Sequence, residues 1–146
     1  MISSAFEEQP TNIDTMHNST LKEIPSRSKF MVLINIAMKI HRHLGKNLNA
    51  SLYKDAFDSE LSDRGIGFVM NKQYDVNYNG VILNYKFHVD FLVKDDVLVI
   101  LKSSKQTLDV METSVYQKLV TPRPKTVLII NFYEDLLQFK KIIINE

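Results

Sequence analysis

The sequence predicts an α/β (α+β) fold, a mixed central β-sheet flanked by helices, with elements in the order ααβββαββ. Three observations carry this. Two segments with apolar residues at helical spacing come first. The period then changes to extended runs, two of which flank an Asn-Gly dipeptide. A strand, helix, strand crossover follows, the connection that a pair of parallel strands requires.

Each element has its own signal. Residues 1–27 are polar, contain Pro10 and Pro25 and lack an apolar period. They read as a flexible arm, with ordering on a partner as the functional alternative. The folded domain is expected over 28–146. In its first helix Phe30, Leu33, Ile34, Ala37, His41 and Leu44 fall on one stripe, with Ser28 suited to the N-cap and Gly45 to the stop. A second helix spans about Ala50 to Asp63, with Leu52, Ala56, Phe57 and Leu61 on its apolar face, and Arg64-Gly65 ends it.

Strands Phe68 to Tyr78 and Val81 to Val93 flank Asn79-Gly80, a pair suited to the two positive φ angles of a type I′ turn. A short turn at Asp95-Asp96 leads to a strand from Val97 to Lys102. A helix from about Leu108 to Val120 follows, and Pro122 and Pro124 mark its exit. Thr126 to Phe132 is a dense apolar run typical of a buried strand, and Phe139 to Ile144 reads as the last strand.

Bulk properties narrow the function classes. At 146 residues the chain suits one domain with a real core. Its net charge of +1 gives no global pull toward nucleic acid, although local basic patches are compatible with it. There is no cysteine, which excludes disulfides, thiolate zinc sites and a cysteine nucleophile. The start, Met1-Ile2-Ser3-Ser4 followed by Glu7 and Glu8, lacks the pattern of a signal peptide, and no apolar run is long enough for a membrane span. An intracellular protein, cytoplasmic or nucleoid/nuclear, is the expectation.

Strand parity assembles the candidate site. His88, Asp90 and Leu92 should share one face, opposite Phe87, Val89, Phe91 and Val93. On the next strand Leu98, Ile100 and Lys102 should share a face. A hairpin would then set Asp90 beside Ile100 and Lys102, the layout of a metal-dependent nuclease.

The stretch Ile40-His41-Arg42-His43-Leu44-Gly45, then Leu48 and Tyr53, resembles the signature of the GxxExxY proteins, small members of the PD-(D/E)XK nuclease superfamily. The resemblance continues through Tyr78-Asn79-Gly80-Val81, Val89-Asp90-Phe91-Leu92-Val93, Val97-Leu98-Val99-Ile100-Leu101-Lys102 and Leu128-Ile129-Ile130-Asn131-Phe132. It covers roughly residues 30 to 144 and implies a restriction-endonuclease-like core. It also implies phosphodiester hydrolysis, with carboxylates holding Mg²⁺ or Mn²⁺ and a lysine orienting or deprotonating a water.

The sequence departs from that pattern at the acids. Ala50 aligns with the helix-borne Glu, Ile100 with the acid of the (D/E)XK triplet, and Ser114 with a Gln on the following helix. Asp90 and Lys102 remain as a pair. An Ala and an Ile cannot coordinate a hard cation, so no metal or other cofactor is expected, and a plain Asp–Lys ion pair is the simpler reading. Asp109 and Glu112 are the nearest replacement acids if a site survives. Glu60 is almost three turns from Ala50, too far to serve.

Further residues have a structural and a functional reading. His41 suits a satisfied buried histidine more than a ligand. Tyr53 suits a packing role with its hydroxyl bonded near the old site. His43 and His88 have no zinc spacing. Lys105, Lys118, Arg123, Lys125, Lys140 and Lys141 form either a phosphate-binding surface or ordinary solvated charge. Three functions follow. The first is an inactive nuclease-like domain acting in binding or assembly, with a protein, a second copy or nucleic acid as partner and no membrane. The others are a divergent active nuclease and a non-catalytic nucleic-acid-binding protein.

Overall fold

A computed structural model describes residues 26–123 and 125–144. The elements are α1 (Ser26–Leu44), α2 (Ala50–Asp63), β1 (Phe68–Tyr78), β2 (Val81–Val93), β3 (Val97–Lys102), α3 (Leu108–Lys118), β4 (Lys125–Asn131) and β5 (Gln138–Ile144). The expected arm lies outside the described residues, apart from 26 and 27. Those two belong to α1, so Ser28 sits inside the first turn and is not its cap.

α1 is more deeply enclosed than one stripe implies. Residues 32 through 37 are all buried, which means the helix is covered on more than one side. Its Phe30, Leu33, Ile34, Ile36 and Ala37 join Tyr53, Phe57 and Leu61 of α2 in one core. The inward row of α2 is therefore Tyr53, Phe57 and Leu61, spaced four apart. Leu52 is exposed, because one residue rotates a helix by about 100°. Asn49 caps α2 by accepting from Ser51 N–H at 2.9 Å. At the other end Gly65 takes φ +70°, and Ile66 N–H reaches back to the Leu61 carbonyl at 3.0 Å.

The five strands lie in the order β1-β2-β3-β4-β5. All neighbours are antiparallel except β3 and β4, which run parallel and are joined through α3. β3 and β4 are buried on both faces, as the central pair of a three-layer domain must be. α1 and α2 cover Val97, Val99, Leu101, Leu128 and Ile130. Leu108, Met111 and Val115 of α3 cover Leu98, Ile100, Val127 and Ile129 on the opposite face. α3 ends at Lys118, two residues before the expected Val120, because Leu119 is already extended at ψ 116°.

Two turns and a crease shape the hairpin. Asn79 and Gly80 take φ 49° and 84°, the two left-handed conformations of a type I′ turn. The β2–β3 turn places Lys94 and Asp95 at φ 55° and 63°, closed by Asp96 N–H to the Val93 carbonyl at 3.1 Å. Its central pair is thus one residue earlier than expected. The crease lies in mid-hairpin. β1 and β2 pair at Met70–Phe91 and at Lys72–Val89, with no Asn71–Asp90 pair between, and Asn71 takes φ 56°. Simple alternation fails across it. Phe91 and Val93 enter the α1/α2 core, while Phe87 and Val89 enter the α3 core.

Candidate active-site remnant

β2 and β3 pair at Val93–Val97, Leu92–Leu98 and Phe91–Val99, and the described ladder stops there. Asp90 is the first residue past this fork. Its Oδ2 accepts the Leu101 N–H at 2.7 Å, replacing the lost ladder bond with a charge-assisted one. Its Oδ1 lies 3.1 Å from the ammonium of Lys54, and the same ammonium donates to Asn71 Oδ1 at 3.3 Å. One lysine of α2 therefore holds both sides of the crease.

The partner of Asp90 is Lys54, and the pair expected with Lys102 is not formed. Helix geometry explains the substitution. Ala50 and Lys54 are one turn apart, so they lie on the same face of α2, and helical side chains lean toward the N-terminus. The pair is shielded, with side-chain exposures of 17% for Asp90 and 28% for Lys54. Each oxygen of Asp90 has a donor, and its charge is matched.

A divalent cation does not fit these residues. A hard metal needs several converging oxygens. Ala50 and Ile100 supply none, and Ile100 is buried in the α3 core. At Asp90 a metal would meet an ammonium group. Asp109 and Glu112 are engaged elsewhere, at 3.3 and 2.7 Å from Lys140 of β5. Hydrogen bonds that the Lys140 ammonium donates, to Glu112 first and Asp109 second, hold it above its usual range. Among the described residues no group of three or more His, Asp and Glu is arranged to hold a metal.

Tyr53 and His41 make contacts within the fold. Tyr53 is fully buried and stacks on Phe132 with ring centres 4.1 Å apart. Its hydroxyl donates to the Gly45 carbonyl at 2.6 Å and accepts from Leu48 N–H at 3.1 Å. It fixes the α1–α2 loop, which Asn47 N–H also ties to the Phe132 carbonyl at 3.0 Å. His41 is half-buried, and its Nε2 donates to the Glu134 carbonyl at 3.0 Å. Sequence reasoning quoted Asn131 but gave it no role; it is 1% exposed at the end of β4. Its amide exchanges bonds with Ser104, donating to the carbonyl at 2.9 Å and accepting from N–H at 3.2 Å, and so ties down the loop after β3. A polar residue closing the run Leu128-Ile129-Ile130 was its only sequence signal.

Several of the expected basic residues have partners of their own. Lys125 donates to the Asp95 carbonyl, Lys140 faces two acids, and Lys141 sits 5.0 Å from the Phe30 ring centre. Lys105 borders a cleft near Asn131. A second cleft, of about 210 Å³, opens between the hairpin, β3 and α3. Tyr85, His88, Ile100, Lys102, Gln106 and Ser114 are among its walls. Lys118 stands beside it, donating to Ser114 Oγ at 3.0 Å.

A helix pair, a long antiparallel hairpin, a parallel crossover and an aspartate at the strand fork together define a nuclease-like α/β domain. The chain belongs to the PD-(D/E)XK nuclease superfamily, whose family model matches residues 28–143. Comparison with curated proteins gave no significant match, and neither did comparison with solved structures. No described helix is long and apolar enough to cross a membrane.

Proposed function

We propose that this chain is a catalytically inactive PD-(D/E)XK domain of GxxExxY type that acts in binding or assembly. One observation carries the reading: the Asp90 carboxylate is satisfied internally, by the Leu101 N–H and the Lys54 ammonium. A metal would have to displace a matched cation and break a backbone hydrogen bond, with no second acid to offset the loss. Ala50 and Ile100, at the positions of the family's other acids, support the same reading.

The test is a cleavage assay with Mg²⁺ and with Mn²⁺ on single- and double-stranded DNA and RNA. The expected result is no cleavage above that of Asp90→Ala. Metal-dependent cleavage that disappears in Asp90→Ala would sink the proposal. A triple variant, Ala50→Glu, Ile100→Glu and Lys54→Met, is the informative companion. It should acquire Mn²⁺ binding measurable by calorimetry, because it restores two acids and removes the competing cation.

A further inference from the structure

We infer that the Asn79-Gly80 turn at the tip of the β1–β2 hairpin is a latent deamidation site, with water as the co-reactant, and that the side chain of Asn77 guards it. The inference stands apart from the inactive reading, since the turn lies at the far end of the hairpin from the fork at Asp90.

Three observations point there together. Asn79 is the only asparagine in the chain that is followed by glycine. Glycine has no Cβ to crowd its own backbone nitrogen, so that nitrogen can approach the side-chain amide of the residue before it. Both residues are exposed, and both take left-handed φ angles, 49° and 84°. Tyr78 and Val81 are the last pair of the ladder, which leaves the Gly80 N–H without a ladder partner. Asn77 Oδ1 accepts that N–H at 2.8 Å.

Deamidation needs that same nitrogen. Base removes the Gly80 N–H proton, the nitrogen bonds to Asn79 Cγ, and the Cγ–Nδ2 bond breaks as ammonia leaves with a proton. The succinimide ring then takes up one water. Opening at Cγ gives aspartate, and opening at the main-chain carbonyl carbon gives isoaspartate. The net change is one water consumed and one ammonia released, with no oxidant or reductant. An N–H held by an amide oxygen is less available to base, so modification proceeds from the fraction of molecules in which this bond is open. The modified turn carries a new carboxylate between Tyr78 and Val81, which are 64% and 58% exposed.

The experiment incubates the full chain in mildly alkaline buffer and follows aspartate and isoaspartate at position 79 by peptide mass spectrometry. Amide hydrogen exchange at Gly80 is measured on the fresh protein. Residue 79 should convert more slowly in the folded wild type than in the same chain unfolded in urea. Asn77→Ala should speed conversion in the folded state roughly fivefold, the factor of one ordinary hydrogen bond. Asn77→Asp, which keeps an oxygen acceptor in place, should convert no faster than wild type. Exchange at Gly80 should quicken in Asn77→Ala and not in Asn77→Asp. Equal conversion in wild type and folded Asn77→Ala overturns the inference, as does conversion of the folded wild type at the urea rate. An unfolded chain that leaves residue 79 intact overturns it too. Should Asn77→Ala fail to fold, the wild type still decides, because a Gly80 amide that exchanges there at the unfolded rate has no guard.

Discussion

At the scale of single residues, Asp90 is held by two partners, the Leu101 N–H and the Lys54 ammonium. Asp90→Ala removes a carboxylate with two partners and leaves the Leu101 N–H unsatisfied, so a loss of about 2–3 kcal/mol in urea unfolding is expected. Asp90→Asn keeps an acceptor for that N–H and should cost less. Lys54→Met should cost about 1–2 kcal/mol, between an exposed ion pair and a fully buried one. The double variant Lys54→Met, Asp90→Asn should lose less than the sum of the two, because both act on one contact. Full additivity would show that the pair is not coupled. Tyr53→Phe, which deletes a hydroxyl with two backbone partners, should cost about 1–2 kcal/mol while leaving the stack on Phe132 intact. The absence of acids at Ala50 and Ile100 was legible in the sequence, as was the retention of Asp90. The role of Lys54 was not. Its spacing from Ala50 was visible, but its pairing depends on how the hairpin folds across from it.

At the scale of elements, turns were easier to read than creases. Asn79-Gly80 announces itself because two adjacent residues tolerate positive φ. At Asn71 the alternation of exposure along β1 continues unbroken, with Phe68, Met70, Lys72 and Tyr74 all half-buried, so periodicity gives no warning. The usable signal is an Asn in mid-strand, a residue depleted in strands and tolerant of left-handed geometry. The Lys94-Asp95 turn offers a direct check. Both residues are non-glycine at positive φ, each at some steric cost. Asp95→Gly should stabilise the protein by about 0.5–1 kcal/mol, since Lys125 contacts only the backbone carbonyl of Asp95. Unchanged or reduced stability would mean that the turn adopts another geometry.

The α1–α2 bracket gives a dependence on pH. Burial disfavours ionised Glu60, but Lys39 at 2.9 Å and Arg64 at 3.4 Å outweigh it and hold the carboxyl below its ordinary 4.5. The sign follows from linkage. A folded-state value below the unfolded one stabilises above the unfolded value, and that contribution is lost as pH falls through the folded value. Stability should therefore decline below about pH 4.5, and Glu60→Gln should flatten that part of the profile. An unchanged acid limb in the variant would assign the decline to other carboxyls.

For the molecule as a whole, the sheet was legible because its two kinds of strand carry different patterns. The continuous apolar runs of β3 and β4 mark a doubly covered parallel pair, and the mixed pattern of β2 marks a hairpin arm. The enclosure of α1 was less legible, since one stripe of apolar residues does not show how many neighbours a helix has. The whole structure organises a fork held by its own side chains. β2 leaves β3 at Asp90, β1 turns at Asn71, and α2 delivers Lys54 to both. The cation that holds this fork is part of the chain. Mn²⁺ should therefore leave the unfolding temperature unchanged, because a ligand stabilises only the state that binds it.

The most direct measurement is a Mn²⁺ titration followed by paramagnetic broadening of backbone amide signals. With Asp90 already neutralised by Lys54, the amides of Asp90, Leu101 and Lys102 should broaden no more than those of other exposed segments. Selective broadening at those three amides, saturating with Mn²⁺, would place a metal at the fork and contradict the account.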